Sequence, residues 1–181
     1  MAVEVPTLET ERLILRGHRV TDFEASLEMW SEPSVVAHIT GVPSTPEQTW
    51  ARLLRYIGHW QALGYGYWVI ESKAEGVFVG EAGLADYQRD TTPSVRGKPE
   101  AGWALIPSAQ GKGLATEAVA AVLRWADDNL AQEFSAASAI FDPANQASMR
   151  VAEKVGFGAP VMGTYGEVES LFMERPLGKS A

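Results

Sequence analysis

The sequence contains no cysteine. That excludes disulfides, thiolate zinc sites and a cysteine acyl-enzyme. It has no apolar run of 18 residues, so no membrane-spanning helix is expected. Its opening, MAVEVPTLETERLILR, lacks a basic segment leading into an apolar run. No signal peptide is therefore expected, and the chain reads as cytoplasmic. Positive charge is scarce: 15 Lys and Arg against 23 Asp and Glu give a net charge of −8. A nucleic-acid partner is not expected, because affinity there comes from basic patches meeting phosphate. Any polyanionic ligand must instead be held by a local device. His18, His38 and His59 show no ligand spacing, so no metal site is expected.

What is present suits one soluble domain over residues 1–181, with 46% hydrophobic and 21% charged residues. A chain this long buries enough surface to need no staple. Leu13 to Leu15 reads as a first strand. Thr21-Asp22-Phe23-Glu24 fits a capping box, followed by a short helix through Leu27 and Trp30. Thr45-Pro46-Glu47-Gln48 opens a second helix: a cap, proline at the first helical position and glutamine three residues after the cap. Trp50, Leu53, Leu54, Ile57 and Trp60 follow at helical spacing, and Gly64 stops the run. Strands are expected over Tyr67 to Ile70, Val77 to Leu84 and Ala101 to Ile106, the last ended by Pro107. Leu114, Ala118, Val122 and Trp125 make a helical stripe. Phe134 to Phe141 is a diluted strand, Ser148 to Val155 a short helix face, and Val168 to Met173 a last strand. The order implies an α/β or α+β domain with a mixed sheet, mostly antiparallel, around one strand–helix–strand crossover.

The stretch Trp103 to Ala118 is the most informative. A strand runs into a glycine-rich turn, and the turn opens a helix. A helix start offers free N–H groups and a positive dipole end. Glycines at 111 and 113 let that backbone close on an anion, and Lys112 could add a cation. Together these make a pyrophosphate cradle. It is not a Walker A loop, since Gly113 is followed by Leu114. It also lacks the third glycine of a dinucleotide fingerprint, since position 116 is Thr.

Gln110-x-x-Gly113-x-Ala115 resembles the signature of the GCN5-related N-acetyltransferases (GNAT). Ala115-Thr116-Glu117-Ala118 is similar to the branch with the Rim-type ribosomal-protein N-terminal acetyltransferases. The segment Asn145 to Phe157 and the opening Leu8 to Arg16 resemble the same branch. The resemblance spans roughly residues 8–175. It implies the GNAT fold, with a sheet splayed at the donor site, acetyl-CoA as donor, and a primary amine as acceptor. It implies a bulge in the strand before the signature, and backbone contacts from Leu105 and Ile106 to the pantetheine arm. It places the pyrophosphate on Gln110, Gly111, Lys112, Gly113, Leu114, Ala115 and Thr116, with Asn145 beside the pantetheine. Homodimers are common in the family.

Acyl transfer to an amine needs a neutral nucleophile, a proton acceptor, a donor for the oxyanion, and help for the leaving thiolate. A backbone N–H near Leu105 suits the oxyanion. Ser148 is the candidate for the thiolate; it lies three residues past Asn145 on the same helix side. Glu100 and Glu81 are the candidate bases, with a water relay as the other route. His38, in a loop before the second helix, is a candidate acceptor-site residue. Trp30, Trp50, Trp60, Trp68 and Tyr65 read as core. Acceptors in view are a protein N-terminus, a polyamine, an aminoglycoside-like compound or an amino acid. The acidic balance favours a cationic one. The alternative to an enzyme is a non-catalytic acyl-CoA-binding sensor, and a third reading is a plain structural domain.

Overall fold

A computed structural model describes residues 3–178. The elements run β1 (Leu8–Glu9), β2 (Leu13–Arg16), α1 (Phe23–Ser31), α2 (Pro33–Val36), α3 (Pro46–Leu63), β3 (Tyr67–Ser72), β4 (Phe78–Ala85), β5 (Thr91–Thr92), β6 (Glu100–Leu105), α4 (Leu114–Asn129), β7 (Ala136–Phe141), α5 (Gln146–Lys154), β8 (Val161–Tyr165) and β9 (Val168–Pro176). Among the described residues the strands form one sheet, ordered β1-β2-β3-β4-β6-β7-β9-β8-β5. Every neighbouring pair is antiparallel except β6 and β7. The β6–α4–β7 unit is the expected crossover. No helix among the described residues is long and apolar enough to cross a membrane.

Helix α3 starts as its sequence dictates. Thr45 and Gln48 cap each other reciprocally, Pro46 sits in the first turn, and Gly64 ends the helix in the left-handed region. The Thr21 box does not form. A 3-10 turn over Val20–Asp22 precedes α1, and Asp22 makes no side-chain cap to it. Its carboxylate instead accepts from the Arg16 guanidinium at 2.7 and 2.9 Å and from the Arg19 N–H at 2.7 Å. A bidentate ionic pair outweighs a neutral cap.

The central strands are covered on both faces. Trp68 and Ile70 of β3, Ala82 and Leu84 of β4, and Ala101 and Leu105 of β6 join one core with Ala118, Val119, Val122 and Leu123 of α4. On the opposite face Ala104 packs with Met29 and Trp30 of α1 and Val35 and Val36 of α2. Strands buried on both sides read as continuous apolar runs rather than alternations. Trp125 of α4 meets Trp60 and Trp68 edge-on at 5.4 and 5.3 Å, and Trp60 meets Trp68 at 4.7 Å. The Trp60 and Trp68 indole N–H groups donate to the carbonyls of Tyr67 and Pro6, so these bulky rings leave no polar atom stranded. Trp50, expected in the core, is exposed against Phe23. The expected bulge in β6 is absent: β6 pairs regularly with β4 from Glu100 to Leu105. The irregularity lies between β3 and β4, where Ile70 pairs Gly80 but Glu71 pairs Phe78, leaving Val79 as the extra residue.

Two ionic clasps close the periphery. Asp22 binds Arg16, and Asp127 accepts from both Arg175 Nη atoms at 2.8 Å. Burial pushes both carboxyls up, but the arginines and the Arg19 and Gly178 N–H groups outweigh it and hold both below the usual range. A carboxyl depressed in the folded state contributes stability above its unfolded pKa and loses it as pH falls through the folded one. The melting temperature should hold steady from about pH 7 to about pH 5 and drop below about pH 4. Asp127→Asn should flatten part of that drop in thermal melts; an identical acid limb in the variant would contradict the clasp.

Candidate acetyl-transfer site

Strands β6 and β7 pair at a single step, Glu100 with Ser138, next to a Ser138 N–H to Pro99 carbonyl bond of 2.9 Å. Beyond it they part. The Ile106 N–H donates to the Val79 carbonyl at 3.1 Å, on the β4 side. Alternation along an antiparallel strand then aims the amides of Trp103 and Leu105 at the gap. A cleft of about 380 Å³ occupies that gap. Trp103 and Leu105 line one wall and Asn145, Ser148 and Val151 the other, with Gln110, Gly111, Gly113, Leu114, Ala115 and Thr116 at its end.

The turn before α4 explains its own glycines. Gly111 and Gly113 have φ of 72° and 78°, where a side chain would be strained. The space beside Gly111 is open. Gly113 is the N-cap of α4 and no side chain caps it. The first-turn N–H groups of a 16-residue helix therefore face the cleft uncapped, with the positive dipole end behind them. An open left-handed turn and an uncapped helix start fit a diphosphate. Gln110, a signature residue, donates its Nε2 to the Leu105 carbonyl at 2.9 Å and straps the turn to the strand.

Two of the cofactor residues expected from sequence do not line this cleft. Ile106 spends its N–H on Val79 and its carbonyl on the Ala109 N–H, and its side chain packs against both apolar clusters. Trp103, two residues before Leu105, presents the edge instead. Lys112 is exposed, and its carbonyl accepts from Arg12 Nη1 at 2.9 Å. The same Arg12 donates through Nε to Glu117 at 2.6 Å, while Glu117 also accepts from the Arg12 N–H at 2.8 Å and the Thr10 hydroxyl at 2.5 Å. Burial pushes the Glu117 carboxyl up, but Thr10 and Arg12 hold it below the usual range. The opening motif and the signature are thus one clasp, which sequence reading missed because 105 residues separate its halves.

A larger cleft of about 1330 Å³ adjoins the first. Trp103, His38, Asn145 and Ser148 line both. Asn145 caps α5, accepting from the Ser148 N–H at 3.2 Å, which fixes Ser148 at the junction. His38 Nδ1 lies 3.0 Å from Asp142 Oδ2. Glu100 lines the larger cleft but is gripped by Arg89 at 2.7 and 2.9 Å. Burial pulls the Arg89 guanidinium down, and Glu100 more than restores it. Glu81 lines neither cleft. It is buried beneath α1, accepting from the Ser26 hydroxyl and from Trp30 Nε1 at 2.8 Å, with His18 Nε2 at 3.3 Å. Burial pushes its carboxyl up; His18, Ser26 and Trp30 outweigh that and hold it low. The acid that sequence reading offered as a base is a structural anchor. In the cleft wall, Tyr67 stacks on Tyr56 at 4.3 Å, and its hydroxyl occupies the space a Cβ at Gly102 would need.

The family profile described as "Acetyltransferase (GNAT) domain" matches residues 12–158. The chain belongs to the GNAT acetyltransferase family. It is accordingly an acetyl-CoA-dependent N-acetyltransferase. It is similar to the uncharacterized protein YkkB of Bacillus subtilis (strain 168), 30% identical over 156 residues, 82% of this chain and 83% of that one. An acetyltransferase from Agrobacterium tumefaciens str. C58 is 25% identical over 96% of each chain, with a TM-score of 0.78. A ribosomal L7/L12 α-N-protein acetyltransferase in complex with coenzyme A, at 15% identity, shares the fold with a TM-score of 0.75 over 95% of this chain and 98% of that one.

In this acetyltransferase, Arg12→Ala should free Glu117 and loosen the turn. The dissociation constant for acetyl-CoA should rise about fivefold or more, near 1 kcal/mol, measured by calorimetry. Glu117→Gln should do the same, and the double variant should cost no more than either single one. Full additivity, or no loss of affinity, would contradict the clasp.

Proposed function

We propose that the chain transfers the acetyl group of acetyl-CoA directly to a primary amine within a ternary complex. The acceptor is a small-molecule amine or a protein N-terminus. The observation that supports this most is the shared wall of the two clefts: Trp103, His38, Asn145 and Ser148 face both donor gap and acceptor space. The amine nitrogen attacks the thioester carbon; a C–N bond forms, the C–S bond breaks, and coenzyme A leaves as thiolate. The Leu105 N–H, aimed into the gap, donates to the oxyanion. The Ser148 hydroxyl donates to the departing sulfur.

The proton lost by the amine goes to His38. A carboxylate at Nδ1 keeps the ring hydrogen on that nitrogen and leaves Nε2 with its lone pair. Asp142 stays ionised: the Ala144 N–H and then His38 hold its carboxyl below the usual range. Glu100, with both oxygens on Arg89, holds that arginine in the cleft.

Incubation with acetyl-CoA and a mixed pool of amines and peptides, read by mass spectrometry, should yield acetylated amine with matching coenzyme A release. Binding of acetyl-CoA without release would favour the sensor reading. Ser148→Ala should lower kcat about 10- to 100-fold, the worth of one hydrogen bond to a charged group at roughly 1.5–3 kcal/mol, with the KM for acetyl-CoA little changed. His38→Gln should lower kcat about 10-fold or more, the low end of what a positioned general base contributes, with acetyl-CoA affinity unchanged. Unchanged kcat in either variant sinks that residue's role.

A further inference from the structure

Helix α3 turns one stripe of its surface into the larger cleft: Arg52, Arg55, Tyr56 and His59, at the three- and four-residue spacing of a single helix face. Two of these four are arginines. None of the ion pairs among the described residues involves either. Each guanidinium instead lies over an aromatic ring. Arg52 Cζ sits 3.6 Å above Trp30, and Arg55 Cζ lies 5.1 Å from the centre of Tyr87. Stacking uses the face of a guanidinium and leaves its edge N–H groups for a ligand. A single weak bond, Arg52 Nη1 to the Ser44 hydroxyl at 3.3 Å, draws on that supply.

The platform under Arg52 is built. Trp30 is fixed by its indole bond to Glu81, and Glu81 is fixed by Ser26. The buried acid therefore orients the ring that carries the arginine. Next along the stripe is His59, 8% exposed, whose Nε2 lies 3.3 Å from the Asp86 carbonyl and whose Nδ1 has no partner. A buried ring nitrogen left open in a cleft wall asks for a ligand atom or water.

The acids of this cleft are mostly spoken for. Glu100 is taken by Arg89, Asp142 by His38 and the Ala144 N–H, and Asp86 by Gln88. Asp90 and Glu169 are exposed to solvent. The α3 wall is thus cationic on a molecule of net charge −8, and it faces the carboxylates of the opposite walls.

We propose that Arg52 and Arg55 form an oxyanion-binding subsite in the acceptor cleft, and that the acceptor is a small amine bearing a carboxylate or phosphate group. This rests on the acetyl-transfer reading of the cleft. The arginine forks take the anion while the amine end reaches the junction at Ser148 and His38, so the anion fixes which nitrogen is presented.

The unmutated enzyme tests this with matched acceptors: β-alanine against β-alaninamide, O-phosphoethanolamine against ethanolamine, and spermidine and an amidated neutral peptide as cationic and peptide arms. The anionic member of at least one pair should be preferred in kcat/KM by about tenfold or more, the scale of a charge-assisted bidentate contact. Which pair shows it separates carboxylate from phosphate. In Arg55→Gln that ratio should collapse toward about one through a rise in acceptor KM, with Arg55→Lys in between. Equal rates within both pairs, preference for spermidine or the peptide, or an unaltered ratio in Arg55→Gln would overturn the subsite. Acetyl-CoA affinity, measured separately by calorimetry, tells the two failures apart. Loss of donor binding and of all amine acetylation defeats the underlying reading; acetylation without anion preference defeats the subsite alone.

Discussion

The parting of β6 and β7 after one register pair is the constraint from which the site follows. A parallel pair that continued would spend the Trp103 and Leu105 amides on β7 and close the cleft. Because the strands diverge, an edge stays open inside a covered sheet, where an extended ligand can add as a strand. Helix α4 then bridges the diverging strands, and its N-terminus has to point into the gap. The glycines at 111 and 113 make that approach possible by taking left-handed backbone. The open edge and the uncapped helix start are two consequences of one geometry.

Electrostatics on this molecule is local. The net charge of −8 would repel a polyanionic donor, yet backbone N–H groups need no countercharge from side chains. Arginines do appear near the site, but in fixed tasks. Arg12 clamps the turn to Glu117, Arg89 neutralises Glu100, and Arg52 and Arg55 rest on rings in the larger cleft. Sheet and helix contacts decide where each charge sits, and whole-chain composition does not report it.

Much of the fold was legible in the sequence because its signals were local. Thr45, Pro46, Gln48 and Gly64 bracket α3 without help from tertiary contacts. The glycine turn before α4 and the apolar central strands were equally direct. Long-range competition defeated the rest. The Thr21 box gave way to the pairing of Asp22 with Arg16, and Glu81, a candidate base in the sequence, anchors Trp30. Ile106 reads from sequence as a donor-edge residue, but strand alternation turns its amide to Val79, and the Trp103 amide faces the gap. Strand β8 has no buried residue and so no hydrophobic pattern to announce it. Asp127 sits in the last turn of α4, where the helix dipole disfavours an acid, and binds Arg175 from β9. The crowded pair Tyr67 and Gly102 belongs to the same class, since only packing reveals it.

The most direct test of the account is amide hydrogen exchange at Gly111 to Thr116 with and without coenzyme A. If these N–H groups hold the diphosphate, their exchange slows by about tenfold or more on binding, as occupied donors must open before they exchange. Tight binding with exchange at these amides unchanged would contradict it.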